Sequence, residues 1–494
     1  MPSQVRLFGA VSAIALLAGC AVGPDFKKPA APEAGAYTAQ PLTATAAIPE
    51  VAGGDAQHFV EAADISGDWW TLFHSQTLND LVAQALKNNS DLKAAQASLK
   101  QAHENAVAQK GAFYPQVTAG FAASHQEQPL TLAPIPNSNM FQYSLFTPQL
   151  NVSYVPDVFG LTRRTVESYE AQADAARYQM LATYTTLVNN VVATAVEVAS
   201  TQAQIDATRK MIEAETKSLQ ILQYQKDKGY ASGVDLAAQQ SQLAAAEATL
   251  PPLIKQQAQL HDQLAVLTGR YPADARPQKL KLSDLTLPSD VPVSLPSQLV
   301  NQRPDVMQAQ ANLHAASAQI GIAVANRLPN IQLTAGAGST ALLFNQLFVP
   351  GTEFWSIGAG LTAPIFDGGT LLHQERAARA AFEASSAQYR STVLTAFQNV
   401  ADTLTALQQD AEGLKAAATA DAAAKKTLDL TQWQLRDGYT NTLGLLVAEQ
   451  AYQQAEIGLV QAQANRYADT AALFQSLGGG WWHRTDLNRD ETNG

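Results

Sequence analysis

Two kinds of periodicity alternate along the chain, and each occurs twice. Between Thr77 and Gly111, Leu78, Leu81, Val82, Ala85 and Leu86 recur at helical spacing, and a second helical stretch runs from Gln298 to Arg327. Asn88-Asn89-Ser90-Asp91 and Arg303-Pro304-Asp305 interrupt these stretches with residues that stop one helix and cap the next, and Pro115 and Pro329 end them. Beyond each of these prolines the pattern alternates instead. Val117, Ala119, Phe121 and Ala123 are separated by Thr118, Gly120, Ala122 and Ser124, and Leu150, Val152 and Tyr154 by Asn151 and Ser153. In the second half Ile331, Leu333 and Ala335 alternate with Gln332, Thr334 and Gly336, and Trp355, Ile357, Ala359, Leu361 and Ala363 with Ser356, Gly358, Gly360 and Thr362. A period of two with one apolar face predicts strands. At about 9–11 residues each, these are long enough to cross a membrane when tilted. Segments rich in Pro, Ser and Asn (Gln128 to Asn139) or Gly (Ser339 to Thr352) read as the loops between paired strands.

After each strand pair comes a short Pro/Gly junction, Pro156 to Gly160 or Pro364 to Gly369, and then a stretch without proline in Ala, Gln, Leu and Glu, from Leu161 to Lys228 and from Thr370 to Asp437. These are strong helix formers, and such a stretch spans roughly 100 Å as one helix, too long for a compact globule. Gly229 and Gly438 break the two stretches. A second helix then returns, Val234 to Leu250 and on past Pro251-Pro252 to Leu267, or Leu443 to Leu477, so each half predicts a helical hairpin bent at a Gly-Tyr pair. The halves are in register. Gly229-Tyr230 recurs as Gly438-Tyr439 (438 − 229 = 209), and the same offset relates Leu236 to Leu445, Leu264 to Leu473 and Gly269 to Gly478. Upstream, Asp91, Leu99 and Pro115 match Asp305, Leu313 and Pro329 at 214, and Gly160 matches Gly368 at 208. This pattern implies a tandem duplication of about 200 residues. The expected organisation is a signal segment over 1–19, an extended N-terminal segment over 20–67, repeat 1 over 68–276, repeat 2 over 277–482 and a tail over 483–494.

Composition narrows the class. The chain has 494 residues, 46% hydrophobic and only 15% charged, a net charge of −11 and a single Cys. One Cys forms no internal disulfide. An acidic balance without a basic run excludes a phosphate-tracking nucleic-acid binder. A mean hydropathy of −0.11, with no apolar run approaching 18 residues after residue 20, argues against a helical membrane bundle. The first residues carry one cation, Arg6, an apolar run from Leu7 to Leu17 and then small residues, the layout of a secretory signal. Leu17-Ala18-Gly19-Cys20 resembles the bacterial lipobox, whose Cys is acylated and becomes the new N-terminus; Ala21 rather than Asp after it favours the outer membrane. Several acyl chains at about 0.8 kcal/mol per buried methylene hold a protein on a bilayer almost irreversibly. Cleavage removes Arg6 and leaves −12 on the mature chain, 31 cations against 43 acids.

Strands in lipid must close into a barrel, and four cannot. Pooled between copies they give eight in a dimer or twelve in a trimer. An eight-stranded barrel is filled by its own side chains, whereas the small or polar inward positions here suit a larger, open one. The lipid-facing positions are then Val117, Phe121, Val152, Tyr154, Ile331, Leu333, Trp355, Ile357 and Leu361. A soluble sheet with one core face would alternate in the same way.

The mature start, Cys20-Ala21-Val22-Gly23-Pro24-Asp25-Phe26-Lys27-Lys28-Pro29, resembles the Cys-x-x-Gly-Pro-x-aromatic-x-x-Pro opening of outer membrane factor lipoproteins, the outlet channels of tripartite efflux pumps, similar to TolC and especially to the OprM and NodT subgroup. Asp68-Trp69-Trp70 with Phe73, then Leu78, Leu81, Ala85-Leu86 and Asn89-Ser90-Asp91-Leu92, resembles that family's first helical block. The Gly-Tyr bends with Asp235-Leu236, and with Leu445-Leu446 before Glu449-Gln450, resemble its two tips. The likeness runs from Cys20 to Trp482. It implies a mainly α fold with a transmembrane β-barrel: a homotrimer pooling twelve strands, continuous with a periplasmic barrel of long helices. It also implies a lipid-anchored place in the outer membrane, a membrane-fusion adaptor docked at the hairpin tips, and an inner-membrane pump of the resistance-nodulation-division class. Drugs or other exported solutes would pass down the lumen. Carried over by position, the adaptor-contact residues are Gly229, Tyr230, Ser232, Gly233, Asp235, Gly438 and Leu443. Related channels place acids just beyond the second tip glycine to hold the pore closed. This chain reads Tyr439-Thr440-Asn441-Thr442-Leu443-Gly444 there, so the gate candidates become Arg436, Asp437, Tyr439 and Thr440.

No cofactor is expected beyond the covalent lipid on Cys20. The eight His show no paired metal-ligand spacing, and Gly336-x-Gly338 and Gly358-x-Gly360 lack the complete nucleotide fingerprint, so an enzyme is not expected. Two rivals share some features. A periplasmic adaptor lipoprotein without a pore would have one hairpin between β-rich halves; a trimeric adhesin would have a passenger and one C-terminal strand set.

Overall fold

A computed structural model describes residues 21–32, 35–39, 42–127, 142–274 and 279–487. Cys20, the signal segment and the 128–139 loop lie outside the described residues. In chain order the elements are β1 (His58–Glu61), a 3-10 turn (Trp69–Phe73), α1 (Gln76–Asn88), α2 (Ser90–Lys110), β2 (Gln116–Glu127), β3 (Gln142–Tyr154), α3 (Leu161–Asp227) and α4 (Gly233–Leu267). Next come β4 (Asp290–Val293), α5 (Pro296–Gln302), α6 (Pro304–Ala325), β5 (Asn330–Ser339), β6 (Glu353–Thr362), α7 (Thr370–Arg436) and α8 (Thr442–Ser476). Both uninterrupted stretches are single helices of 67 residues. The returning helices are 35 residues each. In α4 the helix runs through Pro251 and Pro252. Their missing N–H groups release the carbonyls of Glu247 and Ala248, and all four residues are exposed, so water satisfies what the prolines give up.

The chain folds as two compact units, and each draws segments from both halves of the sequence. The first comprises residues up to Lys28, Lys100–Ala175 and Ala309–Tyr389. Its centre is an antiparallel sheet in the order β2-β3-β5-β6. β2 and β3 are 12 and 13 residues, longer than the alternation predicted. The extra length includes Pro148, which breaks a sequence pattern but sits one residue beyond the Gln149–Tyr154 pairing with β5, where no donor is needed. Opposite this point a Cβ on Gly338 would lie 2.4 Å from the Pro148 carbonyl oxygen, so only glycine allows the approach.

Both long helices start on an aspartate of the junction before them. Asp157 accepts from the N–H groups of Thr162 and Arg163 at 2.9 Å, and Asp367 accepts from those of Gly369 and Leu371 at 2.8 Å. Those bonds hold the Asp367 carboxyl below its ordinary value. The segment after Cys20 is strapped to the same unit. The Val22 N–H donates to Phe159, Arg164 donates to the carbonyls of Val22 and Gly23 and to Asp25 at 2.7 Å, and Phe26 stacks on His314 at 4.4 Å.

The second unit comprises Pro29–Leu99, Ala176–Gln308 and Arg390–Gly494. Its core joins the aromatic turn after Asp68 to the end of α8: Trp69 stacks on Phe474 at 5.1 Å, and Phe73 meets Tyr467. Arg466 is wholly buried and donates to the carbonyls of Gly53 and Asp55, to Thr45 and to Gln57, which ties the N-terminal segment down. That segment also forms β1, which pairs in parallel with β4. Neither short strand carries a sequence signal, because four residues show no usable period.

Candidate functional site

The two hairpin tips and one face of the sheet gather the residues singled out in the sequence. At the first tip Gly229 takes φ +82°, a left-handed conformation that ends α3. The N–H of Tyr230 then reaches back to the carbonyl of Gln225 at 2.8 Å, and that of Gly229 to Lys226 at 2.9 Å. Ser232 and Asp235 restart the chain as a capping box: the Asp235 N–H donates to Ser232 Oγ at 3.1 Å, and the Ser232 N–H returns to Asp235 Oδ2 at 3.1 Å. The Ser232 hydroxyl and N–H together hold the Asp235 carboxyl below its ordinary value. Gly233 opens α4, Tyr230 is 85% exposed, and Leu236 is buried behind it. The Lys228 ammonium lies over the Tyr224 ring, 5.6 Å from its centroid.

At the second tip Gly438 has φ +78° and repeats the return bond, from the Tyr439 N–H to Gln434 at 2.8 Å. The cap differs. Asn441 Oδ1 accepts from the Gly444 N–H at 3.0 Å, and no acid takes part. Thr440 packs its Oγ1 close to Gly444. Tyr439, 77% exposed, stacks on Trp433 with centroids 6.3 Å apart, while Leu443 is exposed and Leu445 is buried. Arg436 closes α7 and Asp437 comes directly after it; within one chain no ion pair joins them among the described residues. Trp433 escaped sequence reasoning, although it stands 209 residues after Tyr224, in the same register that found the tips.

On the sheet, the register aligns Val117 with Val152, Tyr154 with Leu333, and Ile331 with Leu361, while Ala335 faces Ile357 and Ala337 faces Trp355. Side chains alternate, so these pairings put Val117, Phe121, Val152, Tyr154, Ile331, Leu333, Trp355, Ile357 and Leu361 on one face. Trp355 and Ile357 are 76% and 79% exposed. The opposite face carries Thr118, Gly120, Asn151, Gly336, Ser356 and Gly358. Phe344, from the loop between β5 and β6, leans edge-on against Phe121 and Phe146, a contact that no period predicts.

Known proteins share this arrangement. Residues 81–270 and 295–479 match the sequence model described as outer membrane efflux protein. The toluene efflux pump outer membrane protein TtgC of Pseudomonas putida is 29% identical over 477 residues, covering 95% of this chain and 94% of TtgC. The outer membrane protein OprJ of Pseudomonas aeruginosa is 28% identical over 474 residues, 94% of each chain. The solved outer-membrane channel OprN superimposes with a TM-score of 0.82 at 26% identity, covering 94% of this chain and all of OprN.

Proposed function

The chain belongs to the outer membrane efflux protein family, and from that premise we propose that it is the outer-membrane outlet of a tripartite pump, a passive channel for drugs or other exported solutes. The adaptor reading falls away, because the matched family is that of the outlet. The observation that carries the channel reading is the sheet: one largely apolar face, an opposite face of mainly small and polar residues with Leu145 and Phe354 as its large apolar exceptions, and two outer strands, β2 and β6, each unpaired on one side among the described residues.

An even number of antiparallel strands sets β2 and β6 in opposite directions, so β6 of one copy meets β2 of the next in the same antiparallel sense. Closure in lipid then comes from identical copies. Three copies give twelve strands and a lumen, whereas two would fill their own interior. The nine apolar residues face lipid. The strap from Val22 to Phe26 supports acylation at Cys20, since it ties the chain next to that residue to the junction that ends β3. The tips receive a periplasmic adaptor, and the pump behind it is of the resistance-nodulation-division class. Closure at the second tip rests on Arg436–Asp437 pairs between copies and on the Tyr439 ring, with Thr440 buttressing the turn.

Planar-bilayer conductance of the detergent-extracted protein tests the reading, with migration on unheated gels reporting the trimer. Discrete channel steps and a trimer-sized band are expected, and a protein that migrates as a monomer and never conducts is no outlet. Asp437→Ala and Tyr439→Ala should raise the conductance; if both leave it unchanged, the gate lies elsewhere.

A further inference from the structure

Twelve residues before the end of α3, Glu215 is wholly buried, and neither carboxylate oxygen has a hydrogen-bond partner in the structure. Two helical turns into α8, Glu449 is 3% exposed with its Oε2 likewise unpartnered. Gln239 of α4, wholly buried, donates from Nε2 to the backbone carbonyl of Glu215 at 3.3 Å and leaves its own Oε1 unpartnered. The neighbouring positions are dry: Met211 and Leu222 on α3, Leu236 on α4, and Leu445, Leu446 and Ala448 on α8 are all buried.

A carboxylate in this seam has lost water and gained at most the nearby Gln242 amide in return, and a pair of them cannot both ionise cheaply. Burial pushes Glu215 up, the Gln242 side chain working against it. Burial, and then the charge of Glu215, push Glu449 up to about 7. Among the described residues, the one charge that acts on Glu449 is that of Glu215, and none acts on Glu215. Lys210 of α3 and Asp421 and Lys425 of α7 act on Glu456, two turns further along α8. Lys217 pairs with Glu213 at 2.7 Å on the exposed side of α3. α4 contributes Gln239 and Gln242, both uncharged.

We propose that Glu215 and Glu449 form a protonation latch between the two hairpins, shut while at least one carboxyl keeps its proton and released when both ionise. The proton leaves to water, two like charges remain in an apolar seam, and the first turns of α8, next to the Gly438-Tyr439 bend, separate from α3. Both groups are raised above the ordinary 4.5, so the stabilisation is complete below that pH and is lost as pH rises through about 7. The link from the latch to pore opening rests on the reading of the tips as the closing end of the channel.

Hydrogen exchange of the α8 segment 442–456 in the full-length protein, corrected for the intrinsic pH dependence, measures the latch without needing a pore. Protection should fall by up to about tenfold per pH unit between about 4.5 and 7 in the native protein and level off above 7, with the dependence reduced in Glu449→Gln and in Glu215→Gln and abolished when both are replaced. Bilayer conductance over the same range should rise in the native protein, less so in each single variant, and lose its pH dependence in the double variant. If protection in the native protein does not change with pH, or both variants keep the native dependence, there is no latch. Millimolar calcium or sodium restoring protection at pH 8 would also overturn it, because the pair would then hold a cation. A protein that shows the exchange change yet never conducts keeps the latch and loses the channel.

Discussion

The two hairpin tips share a backbone and differ in nearly every side chain that decorates it. Gly229 and Gly438 adopt φ +82° and +78°, the bonds that close each bend connect equivalent atoms, and Leu236 and Leu445 are buried behind them. Around that frame the chemistry is exchanged. The first tip reads Asp227-Lys228 before its glycine, and the second reads Arg436-Asp437. The first sets a cation over a tyrosine and restarts its helix with a carboxylate; the second stacks Trp433 on Tyr439 and restarts with an amide. Backbone geometry is thus the common device, and charge is what distinguishes a tip. That fits two tips that bend alike but meet different surfaces.

The largest difference lies behind the tips. Pro251-Pro252 in α4 corresponds, at the same 209-residue offset, to Val460-Gln461 in α8, where Val460 is half-buried, Gln461 is exposed and both can donate along the helix. Val460→Pro should lower the local stability of α8 by about 3 kcal/mol or more, seen as hydrogen-exchange protection lost on the tip side of residue 460. Pro251→Val should leave α4 as protected as before or more so. If α8 tolerates the proline as α4 does, the second hairpin is no stiffer than the first. Next in size, Gly229→Ala and Gly438→Ala should each cost about 1–2 kcal/mol, because a Cβ meets nothing within 4 Å at either position and the left-handed φ alone resists it. Unequal losses would show that the bends are not one backbone device.

Much of this was legible in the chain. Proline-free runs gave the long helices almost to the residue, and alternation placed nine side chains on one face, since both rest on local periods that burial leaves intact. The repeat register located both glycine bends. The features that stayed hidden depend on partners distant in sequence. Arg466 reads as an ordinary helix-surface cation until Gly53, Asp55 and Gln57 fold over it, and β1 and β4 exist only because they pair. Glu449 was visible in its motif but not Glu215 opposite, because no spacing within one helix reveals a carboxylate on another. Pro148 hid the first half of β3 for a related reason: the position is harmless only because of where β5 stops.

Smaller effects sharpen the comparison of caps. Ser232→Ala and Asn441→Ala should each weaken the helix they cap by about 1 kcal/mol, but only the first cap should respond to acid. The Asp235 carboxyl is depressed by its bonds to Ser232, so its contribution is full above the ordinary 3.8 and is lost as pH falls through its lower folded value. Exchange at the start of α4 should therefore quicken below pH 4, after correction for intrinsic rates, while the start of α8, capped by an amide, should not follow it.

The smallest expected difference is in the exposed ring contacts. A double-mutant cycle on Trp433 and Tyr439 should return roughly 0.5–1.5 kcal/mol, since two stacked rings exclude water from each other. The same cycle on Tyr224 and Lys228 should return about 0.5–1 kcal/mol, because an exposed ammonium keeps most of its hydration. Salt separates them more cleanly than magnitude does. A charge interacting with a ring quadrupole in water is screened at high ionic strength, whereas ring stacking is not. Raising the salt should therefore shrink the first-tip coupling and leave the second-tip coupling in place. Equal salt sensitivity at both tips would mean that Trp433 and Tyr439 are held by the charges of Arg436 and Asp437 rather than by each other, and the distinction between a charged tip and an aromatic one would collapse.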